Sequence, residues 1–357
     1  MFFTPAQSTP AQAPPHAVRV YAENAEWLPW SFSAEGRSLV FAHLPREAQR
    51  RAVFLDHRFT GESEKSPEVP LTALDREQIK RAAGPLHFVF HTGFCCSTLL
   101  ARALDIPGVS MGLKEPDVLV SFGWPWEGAR QSAAALEGLE LTLDLLSRPL
   151  NPGETQIVKP SNACNHLLPG VLHMRPDAKV VLMHSSLEDF LVAIAKRGVA
   201  GRAFARQLYR NFCSSIPLRV RFPDEEQMML TDLQVAAQVW LMQMSFFAAM
   251  AEHYGARRVR TLAADAFLAQ PDRVLARVGD LFGLKPGTNN WAAQAEEVLS
   301  EHSKRRGEAF DANARAAENK AARAKHAAEI AAAEEWARRF AAHCQAPQWL
   351  GDTLLVD

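Results

Sequence analysis

The chain has 357 residues, 48% hydrophobic and 22% charged, with 39 basic against 40 acidic side chains. That length suggests two units at about 150 residues each, or one enlarged α/β domain. A formal net charge of −1 leaves no basic excess for a general nucleic-acid or membrane-surface binder, and five cysteines without a disulfide framework or zinc spacing point to a reducing compartment.

Residues 1–17 are rich in Pro, Gln and Ala and read as a disordered tail. Their only large apolar side chains, Phe2 and Phe3, follow no basic region, so a signal peptide is not expected. The longest apolar stretch, 235–250, is interrupted by Gln238 and Gln243 and falls short of the roughly 18 apolar residues of a membrane span. A cytoplasmic protein is expected, without nucleic-acid or membrane partners; oligomeric state is open.

Residues 18–60 carry β-like runs at 18–22, 38–43 and 52–56, with Trp27, Pro29 and Trp30 between the first two, and predict a small antiparallel element. A polar linker over 61–70 follows. The main domain, 61–311, has short apolar runs at 86–91, 156–159, 179–184 and 258–262. Helical patterns lie between and after them, at 98–104, 131–147, 187–197, 202–212, 231–254 and 271–282. Strands alternating with helices predict an α/β fold, a parallel sheet covered on both faces. Residues 312–343 are alanine-rich, free of Pro and Gly, and predict one long helix in a C-terminal segment, 312–357. Trp336 and Phe340, four apart, are placed to pin its end to the body.

The run from Leu86 to Leu104 carries the chemistry. A buried strand turns through Gly93 and a helix begins near Cys95–Ser97. Free backbone N–H groups there, with the hydroxyls of Ser97 and Thr98, suit an anion; an ordinary βα turn with a Ser/Thr cap is the plainer reading. A Walker A loop is excluded, because its second glycine and lysine are missing. Cys96 and Arg102 satisfy the Cys-x5-Arg spacing of cysteine phosphatases, but Leu99, Leu100 and Ala101 between them read as helix.

Gly93, Phe94, Cys95, Cys96, Ser97 and Thr98, followed by Leu99 and Leu100, resemble the 5′-phosphosulfate loop of the P-loop sulfotransferases. Phe94 stands at that family's basic position and Cys96 at its glycine. Lys114-Glu115-Pro116, Val158-Lys159-Pro160-Ser161-Asn162, Arg175-Pro-Asp-Ala-Lys179 and Leu281-Phe-Gly-Leu284 are similar to further family segments in the same order. The resemblance spans residues 86–284. It implies a three-layer P-loop fold and transfer of a sulfuryl group from 3′-phosphoadenosine 5′-phosphosulfate to a hydroxyl of a small molecule or carbohydrate, with no metal. It also implies Glu115 as the base, Lys159 as the group stabilising the leaving oxygen, and residues 93–98 as the 5′-phosphate cradle. At the family's 3′-phosphate arginine and serine the alignment places Ser185 and Ala193. His184, Lys196 and Arg197, then the stripe Arg202, Arg206 and Arg210, are the basic groups near enough in sequence to substitute, and the cluster Lys304-Arg305-Arg306, followed by Gly307, is similar to the Arg-Lys-Gly that cytosolic members use on the 3′-phosphate. The competing readings are a non-catalytic binding or scaffold protein on the same fold, and a nucleotide-dependent phosphoryl transferase.

Overall fold

The structure, a computed structural model, describes residues 15–122, 133–285, 291–300 and 312–356. Aromatic and β-branched runs near the N-terminus pair as an antiparallel sheet of β1 (Trp27–Phe32), β2 (Ser38–His43), β3 (Glu64–Lys65) and β4 (Val69–Pro70). Pro29 lacks a ladder donor, and β1 tolerates it at a register break on the sheet edge. β3 and β4 lie within the stretch expected to be a linker. The run 18–22, expected as a strand, is instead part of a helix, Pro15–Glu23, and 52–56 forms no strand.

The second sheet is parallel throughout: β5 (Leu86–His91), β6 (Ser110–Lys114), β7 (Thr155–Lys159), β8 (Val180–His184) and β9 (Val259–Ala263), in the order β6-β7-β5-β8-β9. Alternate side chains point to opposite faces. Phe88, Phe90, Val158, Val180 and Leu182 enter one core, which also takes Leu39 and Phe41 of the N-terminal sheet. Val89, Ile157, Val181 and Met183 enter another, against the helices Ser97–Ala103 and Pro271–Phe282. The chain is therefore mixed α/β, with one parallel and one antiparallel sheet and flanking helices. β6 was not anticipated. Its Gly112 is required by close approach: a Cβ there would lie 2.1 Å from the Ala101 carbonyl oxygen, so the helix Ser97–Ala103 rests directly on the strand.

The helix Asp232–Tyr254 is long and apolar enough, by length and composition, to cross a membrane, but 67% of its apolar window is buried in the protein. Its glutamines are core residues: Gln238 accepts from Gln227 and Gln243 accepts from Asn165. A capping box at Thr231 and Gln234 fixes its start. The single C-terminal helix expected over 312–343 is two helices, Ala312–Lys325 and Ala327–Cys344, broken at His326. Trp336 and Phe340 stack on each other and on Phe222, fixing the second helix to the body. Most of the N-terminal tail and the cluster Lys304-Arg305-Arg306 lie outside the described residues.

Candidate active site at the carboxyl edge of the parallel sheet

β5 occupies the centre of the sheet, where the connections part to either side: β6 and β7 on one, β8 and β9 on the other. Crevices at the carboxyl ends of strands at such a switch point are where open α/β sheets hold ligands. Apart from Lys196, Arg197, the helical stripe and the cluster at 304–306, the candidates from the motif analysis are carried on these strand ends, on the loops that follow them or, for Ser97 and Thr98, on the first turn of the helix beyond the β5 loop. Residues 92–96 leave β5, Glu115 follows β6, Lys159 ends β7, and His184 and Ser185 end β8.

The loop after β5 is bent by residues in the left-handed region: Gly93 at φ +94°, Phe94 at 57° and Cys96 at 63°. Glu115, at φ 55°, joins them across the sheet edge. Three non-glycine residues in this conformation at one edge are a reservoir of strain of the kind that gathers at ligand sites. The backbone N–H groups of Phe94, Cys95, Thr98 and Leu99 have no hydrogen-bond acceptor among the described residues. Cys96 holds a backbone conformation that favours glycine.

Buried polar side chains fasten the loop from below. His91 Nδ1 accepts from the Gly93 N–H at 3.0 Å, so its Nε2 carries the proton and donates to the Pro160 carbonyl at 3.0 Å. Asn162 donates to the Thr92 carbonyl and Asn165 to the His91 carbonyl, while Gln243 orients Asn165 at 2.9 Å. Of these side chains, His91 and Asn162 lie in segments that the sequence singled out. Ser185 donates its N–H to the Thr92 hydroxyl and its carbonyl accepts from Trp240, but its own buried hydroxyl has no partner among the described residues. An orphaned buried hydroxyl beside an open cradle of amides calls for a partner.

Glu115 and Lys159 meet. The buried Lys159 ammonium donates to Glu115 Oε1, and Arg58 donates to Glu115 Oε2. Burial by itself raises the Glu115 carboxyl, but Lys159 foremost, with Arg58, outweighs it and holds the group at about 2. Glu115 is therefore an ionised ion-pair partner in this state. Arg58 comes from the segment after the N-terminal sheet, is gripped by Asp56, and lies 3.7 Å over the Phe54 ring. Sequence reasoning missed it: no motif surrounds it, and it reaches Glu115 from 57 positions away.

The remaining basic candidates divide. Arg197 lies 4.2 Å over the Phe94 ring, at the loop. Lys196 is tied to Glu318. Arg202 pairs with Glu329, and Arg206 with Asp232, so these two members of the stripe serve helix packing. His184 is buried with Trp349 edge-on at 5.0 Å, and burial lowers its basicity. Cys95 is fully buried, and burial raises its thiol to about 11. All five cysteines are free thiols. Among the described residues no group of three or more His, Cys, Asp or Glu side chains is placed to hold a metal ion.

Phe94 packs against Phe190 and Phe204, with ring centroids 5.5 and 6.2 Å away. Neither of the two best-formed concavities among the described residues touches the loop; they are lined by Asn24, Arg46 and Asn151, and by Tyr209, Cys213 and Met242. No protein-family model matches the chain, and no curated protein is significantly similar to it.

Proposed function

We propose that the chain is a P-loop, sulfotransferase-like enzyme that binds a nucleotide on residues 93–98 and moves a sulfuryl group from 3′-phosphoadenosine 5′-phosphosulfate to a hydroxyl of a small molecule or carbohydrate. The observation that carries this reading is the convergence at one sheet edge of a strained loop with unsatisfied amides, a buried lysine and a buried carboxylate. Amides fixed in this way suit phosphate oxygens without a Walker lysine. In the transfer the acceptor oxygen bonds to sulfur as the bond from sulfur to the bridging phosphate oxygen breaks, leaving adenosine 3′,5′-bisphosphate. Lys159 meets the charge growing on that bridging oxygen and Glu115 takes the hydroxyl proton. The two roles are coupled: a lysine that turns from Glu115 to the phosphate releases the carboxylate and makes it more basic.

A second reading, a binding protein without turnover, is favoured by the double ion pair on Glu115 and by Ser185 and Ala193 at the positions where the related enzymes hold the 3′-phosphate. Calorimetric titration with adenosine 3′,5′-bisphosphate, ATP and AMP separates the possibilities. Preference for the bisphosphate supports the sulfuryl donor. Preference for ATP moves the chemistry to phosphoryl transfer. Bisphosphate binding with no turnover of any hydroxyl acceptor, in the parent and in Glu115→Gln alike, favours the binding protein.

A further inference from the structure

Two guanidinium groups at the carboxyl edge of the parallel sheet have donors to spare. Arg58 spends its Nε and Nη2 on Asp56 and Glu115, and its Nη1 has no acceptor among the described residues. Arg197 is exposed, makes no hydrogen bond from its guanidinium among the described residues, and is held in place by the Phe94 ring beneath it. Arg58 reaches Glu115 just beyond β6, and Arg197 covers Phe94 in the loop after β5, so both stand at the carboxyl edge of the parallel sheet. Arg58 and Lys159 are ion-paired with Asp56 and Glu115, whereas Arg197 pairs with no carboxylate among the described residues. Like charges repel, and an arginine left near another without a carboxylate of its own is a place prepared for an incoming anion.

We propose that Arg58 and Arg197 form a two-arginine clamp for an oxyanion, a phosphate or sulfate group of the substrate, at the mouth of the β5 loop. The clamp supplies from the N-terminal segment, and from the turn after the helix Leu187–Lys196, the charge that Phe94 and Ser185 do not provide. A planar guanidinium donates two parallel hydrogen bonds to such a group, and Phe94 fixes the plane of one of them. Phe94 thus has a use at the loop's basic position: it carries the cation on its face. The inference rests on the loop as the ligand site, but not on the ligand being a nucleotide.

The test is calorimetric titration of the full chain with inorganic pyrophosphate, AMP and adenosine 3′,5′-bisphosphate, in the parent, Arg197→Gln and Arg58→Lys. Arg197→Gln, at an exposed position, is expected to fold as the parent does and to bind the clamped anion roughly tenfold more weakly or worse. Arg58→Lys keeps a charge beside Glu115 but loses the unspent Nη1 donors, and a drop of about threefold or more is expected. If the clamped group is the 3′-phosphate, Arg197→Gln erases the advantage of the bisphosphate over AMP; if it is the 5′ end, all three probes weaken together. Parent-like affinity in Arg197→Gln, or no binding of any probe by the parent, overturns the clamp. Nucleotide binding that survives Arg197→Gln removes the clamp and leaves the nucleotide reading standing. Pyrophosphate binding that depends on Arg197, without nucleotide binding, does the reverse.

Discussion

Cys96 shows how a residue can occupy a glycine's place. At φ 63° an L-residue costs about 1–2 kcal/mol, and a β-branched one more. Cys96→Gly is therefore expected to leave stability unchanged or slightly raised, and Cys96→Val to lower it by about 1–2 kcal/mol, read from urea unfolding midpoints. Equal midpoints for the two variants would remove backbone strain as the explanation. The left-handed turn at this position was not legible in the residues themselves; composition and periodicity say nothing of φ. Glu115 and Lys159 were legible as chemistry-bearing residues at the ends of segments, but their contact was not. It depends on β6 and β7 lying side by side, with Lys114 registered against Lys159. The strand that positions Glu115 escaped notice because Ser-Met-Gly-Leu-Lys is short and ends in a lysine. That lysine is itself fully buried, donating to the carbonyls of Gln49 and Arg50.

Among the elements, the N-terminal helix and β5 are secured by polar side chains that apolar patterning does not reveal. Arg148, fully buried, donates to the carbonyls of Tyr21, Ala22, Asn24 and Trp27, closing the C-terminal end of the helix Pro15–Glu23 and the turn beyond it. Its charge thus sits at the negative end of the helix dipole. Arg148→Met leaves those carbonyls without that donor, and a loss of about 2–4 kcal/mol is expected in denaturant unfolding; a loss below 1 kcal/mol, roughly the size of a surface effect, would contradict this role. This tie also explains why Val-Arg-Val-Tyr-Ala reads as a strand by alternation yet is helical: tertiary contacts outweigh a short period-two pattern. His87 joins β5 to two neighbours, Nε2 donating to the Phe282 carbonyl and Nδ1 accepting from the Lys179 N–H. Burial, above all, lowers it from 6.5 to about 4. Because the folded group binds its proton more weakly than the unfolded one, its contribution is complete above pH 6.5 and is lost as pH falls toward about 4. Unfolding free energies at pH 7 and 4.5 are expected to differ less in His87→Gln than in the parent; an undiminished difference would assign the acid sensitivity to other groups.

For the whole molecule, the alternation of apolar runs with helical patterns was enough to anticipate four of the five parallel strands, because each is almost entirely buried and carries a short apolar run. Strand order was not legible, and neither was the use made of the N-terminal segment. That segment packs onto one face of the parallel sheet and delivers Arg58 to its carboxyl edge. Long-range contacts of this kind leave no local signal, since Arg58 and its aspartate look like any surface pair along the chain. The break at His326 was equally hidden in a run with uniform helix propensity. What unites the scales is the edge itself, where strained backbone, open amides and an arginine-rich rim meet. Calorimetric titration with adenosine 3′,5′-bisphosphate, beside ATP and AMP, tests its use as a nucleotide site most directly. Preferential binding of the bisphosphate is expected, weakened roughly tenfold, about 1.4 kcal/mol, by Ser97→Ala and by Thr98→Ala. No binding of any of the three, or parent-like affinity in both variants, would contradict a nucleotide site on residues 93–98.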